Sequence, residues 1–293
     1  MANLKDIKRK IKSVKGTQKT TRAMKLVSSA KLRRAEQVAK ASKAYALKIT
    51  EMIEEISANL AKSQENLDHP FFKSAKNAKV VDIIAITSDK GLCGAFNSQT
   101  IKKVEQLKAK LEANGAKVRL RVIGKKAIGY FKFKNIEMIN QIEGLSSAPS
   151  YDKAAEFIKE VVESYLNGET DRVIIVHNGY VNMITQKVKV DNILPLDPSE
   201  FTPKAVSTSE LELEPDDDTI LEALVNRYLE YIMYYSLIDS LAAEHSARMQ
   251  AMDMATNNAK EMVKTLTVAY NKARQEAITT ELIEIISGVE SMK

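Results

Sequence analysis

The chain ends in a very long stretch that no helix-breaking residue interrupts. Between Pro215 and Gly288 there is neither proline nor glycine, the two residues least compatible with a helix interior. Apolar or small residues recur there in alternating steps of three and four, the spacing of one helix face. They are Leu221, Leu224, Tyr228, Tyr231, Tyr235, Ile238, Ala242, His245, Met249, Met252, Ala259, Val263, Leu266, Tyr270 and Ala273. The pattern predicts a single helix of about seventy residues, roughly 216–289, which would be about 105 Å long at ~1.5 Å per residue. A helix of that length needs a partner along its side.

A second long stretch, residues 3–60, lies at the other end of the chain. It contains no proline and a single glycine, Gly16. A heptad-like seam, typical of a coiled-coil strand, runs along it. Its positions are Leu4, Ile7, Ile11, Val14, Gln18, Thr21, Lys25, Ser28, Leu32, Ala35, Ala39, Ser42, Ala46, Ile49, Ile53, Ile56 and Leu60. The simplest arrangement is an antiparallel coiled coil of the two terminal helices, in which the longer C-terminal helix projects alone at one end.

The middle of the chain alternates short apolar runs with helical patterns. Such alternation predicts a parallel α/β sheet in a Rossmann-like domain. Strands are expected at 80–87, 118–123, 136–142 and 172–177, with an edge strand at 181–190, and helices at 97–113, 125–131 and 151–166. The predicted fold is therefore α/β plus a long α coiled coil. The expected domains are a coiled-coil helix (1–60), a Rossmann-like domain (76–195), a connection (196–215) and a second coiled-coil helix (216–293).

Charge is unevenly distributed along the 293 residues. Residues 1–34 carry twelve Lys or Arg against one Asp, a balance of +11, so the remainder carries −5 of the total of +6. A basic helix can neutralise phosphates, which leaves open a nucleic-acid-binding or scaffold coiled-coil protein. However, no aromatic residues interleave with the basic ones. A helix surface that faces solvent or another protein is the alternative interpretation.

The sequence offers little chemistry for catalysis. Residues 88–94 (SDKGLCG) form a turn where Rossmann-like domains bind ligands, at the carboxyl end of the first strand. Yet neither a G-x-G-x-x-G fingerprint nor a phosphate-binding P-loop occurs in the chain. Cys93 is the only cysteine, and His69, His177 and His245 share no metal-ligand spacing. We expect no catalytic, cofactor-binding or metal site, and an α/β enzyme that uses this turn is a remote alternative.

Four motifs then point to a family. They are residues 23–35 (AMKLVSSAKLRRA), 88–94 (SDKGLCG), 247–252 (ARMQAM) and 270–282 (YNKARQEAITTEL). In this order, on a coil–α/β–coil plan that covers essentially the whole chain, they resemble the γ subunits of F-type ATP synthases. The chain has no chloroplast-type regulatory insertion with cysteines and no transit peptide, so a bacterial member is expected.

The resemblance implies a central-stalk rotor subunit without catalytic activity of its own. In this family the coiled coil turns inside a hexamer of alternating α and β subunits, which carry the nucleotides. Proton or sodium flow through a membrane-embedded c-ring drives the rotation and so couples ion transport, such as hydrogen ion transport, to ATP synthesis or hydrolysis. One copy per complex is expected, with α, β and ε subunits and the c-ring as partners. No nucleic acid is expected as a partner.

The resemblance also assigns roles to particular residues. Met24, Lys25, Arg274 and Gln275 are expected to contact a β subunit and to affect coupling. An apolar tip that turns in a sleeve of the hexamer is expected to comprise Ile278, Leu282, Ile285, Ile286 and Val289. Glu212, Glu214 and Asp216 resemble the foot that contacts ε and the c-ring.

The expected location follows from the same reasoning. No run of the sequence is apolar enough to cross a bilayer, since even residues 220–242 contain four charged side chains. The start of the chain lacks the apolar region of a secretory signal. We expect a peripheral protein at the cytoplasmic face of the bacterial plasma (inner) membrane, in contact with the membrane only through its complex.

Overall fold

The computed structural model describes residues 4–63, 70–72, 78–196 and 217–292. The chain divides into two compact units. The helical-pair unit consists of Met1–Ser29 and Arg248–Lys293, and the sheet unit is Ala30–Ala247. Both terminal helices contribute residues to both units.

Two long helices begin and end the described chain. Helix α1 spans Leu4–Ser63 and has 60 residues. Three shorter helices follow in the middle of the chain: α2 (Phe96–Ala113), α3 (Lys125–Phe133) and α4 (Tyr151–Leu166). Helix α5 spans Asp217–Glu290 and has 74 residues. The two predicted rods are thus confirmed as continuous helices, and α5 is the longer of the two.

A five-stranded sheet forms the centre of the sheet unit. Its strands are β1 (Val80–Ile86), β2 (Lys117–Ile123), β3 (Asn140–Ile142), β4 (Arg172–Tyr180) and β5 (Gln186–Leu194). They are arranged in the order β3-β2-β1-β4-β5. The pairs β1–β2, β1–β4 and β2–β3 are parallel, as predicted, and the crossovers between them run through helices.

The edge strand departs from the sequence prediction in two respects. It pairs antiparallel to β4, so the sheet is mixed. It begins at Gln186, whereas residues 181–185 form the turn of a hairpin. Asn182 Oδ1 closes this turn by accepting hydrogen bonds from the backbone N–H groups of Ile184 and Thr185 at 2.9 and 2.8 Å. A connection of five residues is too short for a parallel crossover, so it forces the antiparallel direction.

The sheet carries a core on each face. On one face it packs against α4 and against a row on α5 whose fully buried members are Val225, Leu229, Met233 and Leu237. On the other face it packs against α2 and α3, where Val104, Ile128 and Phe131 are buried. Burying each large apolar side chain contributes roughly 1.5–3 kcal/mol. The row on α5 repeats every four residues, so about three turns of this helix are fixed on the sheet.

Candidate functional site

The helical-pair unit is held together by the seam that the sequence predicts. Along α1, the predicted seam positions from residue 4 to residue 28 are all buried or partly buried: Leu4, Ile7, Ile11, Val14, Gln18, Thr21, Lys25 and Ser28. Along α5, the covered positions beyond Met252 are Asp253, Ala255, Thr256, Ala259, Val263, Leu266, Tyr270, Ala273 and Ala277. The covered positions of both helices therefore follow the spacing of a coiled coil.

Two polar contacts set the register of this pair. The hydroxyl oxygens of Thr21 and Thr256 lie 2.8 Å apart, and Lys25 Nζ donates to Asp253 Oδ1 at 2.6 Å. Residue numbers rise on α1 while they fall on α5, so the helices are antiparallel, as predicted. In the two facing pairs the residue numbers add up to 277 (Thr21 and Thr256) and 278 (Lys25 and Asp253). If the same register continues, Leu4 lies opposite residue 273 or 274. Beyond that point α5 continues past the first described residue of α1.

The continuation of α5 exposes an unusual amount of apolar surface. Every residue from Ile278 to Met292 is exposed. The predicted tip residues Ile278, Leu282, Ile285, Ile286 and Val289 are 49%, 54%, 63%, 62% and 58% exposed. Ile283, which the sequence analysis did not single out, is 58% exposed as well. A contiguous apolar surface that the described chain leaves uncovered marks an interaction site.

The four residues expected to contact a β subunit do not form one cluster. Met24 and Lys25 are partly buried on α1, whereas Arg274 and Gln275 are exposed on α5 just before the tip. Lys25 faces Asp253, and from residue 253 to residue 274 the helix rises about 31 Å at ~1.5 Å per residue. The helical-pair unit therefore presents two separate places, one at Met24 and Lys25 and another at Arg274 and Gln275.

Lys25 has an intramolecular partner that the sequence analysis missed. Its ion pair with Asp253 is open to solvent, with the two side chains 39% and 46% exposed. Such a pair contributes about 0–1 kcal/mol. The Lys25 amine is thus held only weakly on α5. A carboxylate 228 positions away in the sequence has no local signal that would have identified it.

The turn at residues 88–94 has a structural use in the sheet unit. The Asp89 carboxylate lies at the start of α3 and accepts hydrogen bonds from the backbone N–H groups of Lys125 and Gly144 at 3.1 and 3.2 Å. Burial raises the pKa of Asp89, but these hydrogen bonds, together with those from the Ser147 and Ser146 hydroxyls, outweigh burial and hold the pKa below its ordinary value of 3.8. The chain's own negative charge occupies the helix N-terminus that a phosphate would need.

The other candidate residues are distributed as follows. Cys93 is buried beside the Asn97 amide, whose Nδ2 lies 3.2 Å from Cys93 Sγ. Among the residues that the structure describes, no group of three or more His, Cys, Asp or Glu could hold a metal ion. The predicted foot residues Glu212, Glu214 and Asp216 lie outside the described residues.

A cluster built on the buried Asp239 carboxylate joins α5 to the β4–β5 hairpin, and the sequence analysis did not find it. It consists of Asp239, His177 and Lys189, with Lys189 Nζ 2.6 Å and His177 Nε2 3.2 Å from Asp239 Oδ2. The three residues come from one helix and two strands. The one sequence signal was a carboxylate, Asp239, placed among apolar residues of a long helix.

Comparison with known proteins identifies the family. The family model described as ATP synthase matches residues 3–292. An ATP synthase gamma chain of Sulfurovum sp. is 67% identical over 295 residues, which covers 100% of each chain. The ATP synthase gamma chain of Campylobacter concisus is 57% identical over 297 residues, again covering 100% of both.

Solved structures support the fold independently. A chain in the cryo-EM structure of the Euglena gracilis mitochondrial ATP synthase (OSCP, F1 and c-ring) superposes with a TM-score of 0.70 at 19% identity. The match covers 99% of this chain and 94% of that one. A chain of the central stalk and c-ring of the Tetrahymena thermophila mitochondrial enzyme gives a TM-score of 0.64 at 24% identity, covering 80% and 99%.

The match over the full length decides between the interpretations that composition and charge left open. No helix in the described ranges is both long enough and apolar enough to cross a membrane. From residue 4 onward the basic stretch at 1–34 belongs to α1, which pairs with α5, and the Asp89 side chain of the turn at 88–94 is bonded to the start of α3. The chain belongs to the family of ATP synthase gamma chains, the non-catalytic rotor subunit of the F-type enzyme.

Proposed function

We propose that this chain is the shaft through which a membrane-embedded c-ring drives a hexamer of alternating α and β subunits in a bacterial ATP synthase. The exposed apolar end of α5 carries this proposal. It is a surface of fifteen exposed residues on a helix that is otherwise paired, and it fits a surrounding apolar sleeve. Apolar attraction is non-directional, so such a surface can turn in its sleeve without breaking specific bonds.

The two polar places on the helical-pair unit fit angle-dependent contacts. Arg274 and Gln275 are exposed beside the tip, and an arginine offers five donors in a planar fork that matches a carboxylate. Met24 and Lys25 form the second place, where the weak ion pair to Asp253 leaves the lysine amine able to exchange partners. In this account both places meet β subunits at particular angles, and the exposed tip bears on the sleeve at every angle.

The remaining assignments belong to the same proposal. Glu212, Glu214 and Asp216 form the foot that meets ε and the c-ring. The domain division is 1–60, 76–195, 196–215 and 216–293. One copy works per complex at the cytoplasmic face of the plasma membrane, and it reaches the membrane only through its partners. The related mitochondrial chains support contact with a c-ring, since one comes from a central stalk with its c-ring and the other from an assembly of OSCP, F1 and c-ring.

Reconstitution tests the proposed function. The tagged chain, expressed with α and β subunits of the same bacterium, is expected to retain both subunits and to yield a complex that hydrolyses ATP. The purified chain alone is expected to hydrolyse none, because it supplies no phosphate-binding loop. Failure to retain α and β would contradict the proposal, as would ATP turnover by the chain alone or salt-sensitive binding of nucleic acid in place of the subunits.

Replacing Arg274 with alanine tests the place beside the tip. Arg274→Ala is expected to lower ATP synthesis by the reconstituted complex about tenfold, the loss for one charge-assisted contact of ~1.4 kcal/mol. The amount of assembled complex should change by less than about twofold, because Arg274 is exposed and lies outside the seam between α1 and α5.

Lys272→Ala is the matched control for Arg274→Ala. It removes the same charge two positions away, where Lys272 is 79% exposed and forms only a 3.9 Å pair with Glu276. ATP synthesis by this control is expected to stay close to that of the unmodified complex. Equal rates of ATP synthesis by Arg274→Ala and Lys272→Ala would contradict a specific contact of Arg274 with a β subunit.

A further inference from the structure

Within the sheet unit, one carboxylate of α5 is buried and yet fully engaged. The side chain of Asp239 is 4% exposed. Its Oδ2 lies 2.6 Å from Lys189 Nζ and 3.2 Å from His177 Nε2, and its Oδ1 accepts from the Tyr180 backbone N–H at 3.1 Å. A carboxylate can only accept, so His177 Nε2 carries the donated hydrogen. A buried charge without such partners would cost several kcal/mol.

The strand opposite Asp239 is shaped to receive this carboxylate. Gly179 lies on β4, two residues after His177, and pairs with Lys187 on β5. A Cβ at this position would stand 2.7 Å from Asp239 Oδ2 and would overlap the Lys189 side chain. The lysine amine also lies 6.0 Å from the centre of the Tyr235 ring, one turn before Asp239 on α5. A side chain at 179 would therefore have to displace the Lys189 side chain or the Asp239 carboxylate from its present position.

The same hairpin holds α5 at a second level. Ser246 Oγ donates to the Met183 carbonyl at 2.9 Å and accepts from Gln186 Nε2 at 2.8 Å. Ser246 follows Asp239 by seven residues, which is two helical turns and about 10 Å along the same face. Met183 lies in the hairpin turn and Gln186 begins β5. Directional bonds from the hairpin therefore reach α5 at two separate turns.

Hydrogen bonds resist rotation of α5 about its own axis better than apolar packing does. The row from Val225 to Leu237 prevents α5 from leaving the sheet, but non-directional contacts oppose rotation of a helix about its own axis only through shape. Hydrogen bonds weaken steeply when their angles change, so a carboxylate held from two strands opposes that rotation directly. The charged bonds are also about twice as strong as neutral ones.

We propose that Asp239, His177, Lys189 and Gly179 form a torque clamp that locks α5 against rotation relative to the β4–β5 hairpin when the rotor works against a load. This inference rests on the proposed rotor function. Asp239 acts here as a positioning residue, since it holds the helix and touches no nucleotide.

The ionisation of Asp239 and Lys189 favours the clamp. Burial raises the pKa of Asp239, but the hydrogen bonds from His177 and Lys189 outweigh burial and hold the pKa below its ordinary value of 3.8. Burial lowers the pKa of Lys189, but the bond to Asp239 outweighs it and raises the pKa above 10.5. Asp239 and Lys189 are therefore both charged at neutral pH. A second carboxylate faces the His177 ring from its other side, where Asp191 Oδ2 lies 3.7 Å from His177 Nδ1.

The test uses the complete synthase in sealed vesicles and measures the largest ion gradient that ATP hydrolysis can build. Asp239→Asn keeps the size of the side chain but removes the charge. We expect hydrolysis without a gradient to change less than about twofold, whereas the maximal gradient falls at least about threefold, because only a loaded rotor needs the charged bonds. A purely structural defect would lower the amount of complex and would not make the loss depend on load.

Two further variants keep the result decisive. Lys189→Met removes one donor from a side chain that is 34% exposed, leaves the bonds from His177 and Tyr180, and should reproduce the load dependence if Asp239→Asn fails to assemble. Asp152→Asn changes an exposed aspartate of α4 in the same unit and should match the unmodified complex. A normal maximal gradient with assembled Asp239→Asn or Lys189→Met would overturn the clamp. Failure of the unmodified chain to assemble or pump would instead overturn the rotor function.

Discussion

Gly124→Ala is expected to lower the free energy of unfolding of the sheet unit by about 3–5 kcal/mol. Gly124 joins β2 to α3 with φ at +103°, a region that residues with a Cβ rarely adopt. A Cβ there would overlap the Thr87 carbonyl oxygen and stand 2.7 Å from its carbonyl carbon. Thr87 cannot withdraw easily, because its backbone N–H donates to the Ile123 carbonyl at 2.9 Å.

Urea unfolding of the purified full chain, followed by tyrosine fluorescence, measures this effect. Nine of the ten tyrosines lie between residues 30 and 247, so the signal reports mainly on the sheet unit. Gly129→Ala is the matched control, since Gly129 lies inside α3 and a Cβ there meets nothing within 4 Å. That control is expected to be more stable by up to ~1 kcal/mol, because alanine favours a helix. Equal stability of Gly124→Ala and the unmodified chain would contradict the account of this turn.

Val268→Pro is expected to reduce ATP synthesis by the reconstituted complex more than about tenfold. A proline in a helix interior destabilises the helix by ~3 kcal/mol or more. Val268 lies in the paired part of α5, but its side chain is 65% exposed. The substitution therefore acts through the backbone. Proline removes the N–H that bonds to the carbonyl four residues earlier, and its ring kinks the helix. A kink would interrupt the continuous helix on which the proposed shaft depends.

Val268→Ala separates the backbone effect from the loss of the valine side chain. It removes the same exposed methyl groups and leaves the helix intact, so synthesis at matched assembly should stay near that of the unmodified complex. Synthesis rates are compared per assembled complex, quantified by the retained α and β subunits. Normal synthesis with Val268→Pro would show that continuity of α5 is not required.

The sequence predicted those parts of the fold that depend on local spacing. The seam from Leu4 to Ser28 lies where the heptad pattern places it, and the exposed tip begins at Ile278 as the difference in helix length implies. The seam follows from which face of a helix a residue occupies, which periodicity records, whereas the tip follows from the greater length of the C-terminal helix. The edge strand was misplaced because residues 181–185, which include Val181 and Ile184, read as apolar strand although they form a hairpin turn.

Contacts between distant positions were beyond the reach of periodicity. The Asp239 carboxylate meets His177 and Lys189 across 62 and 50 positions of sequence, and Lys25 meets Asp253 across 228. Which donors a buried carboxylate finds depends on how α5 crosses the hairpin, and that geometry leaves no spacing in the sequence. The motif at residues 270–282 did single out Arg274, but only as a family resemblance.

Direct observation of rotation tests the central claim that this chain turns inside its complex. Phe133 is 84% exposed at the end of α3, and the single native cysteine, Cys93, is 2% exposed, so Phe133→Cys provides one accessible thiol for a visible label. With the α and β subunits fixed to a surface, addition of ATP is expected to produce rotation of the label in one direction. Complexes that hydrolyse ATP while the label only fluctuates about a fixed angle would contradict the claim.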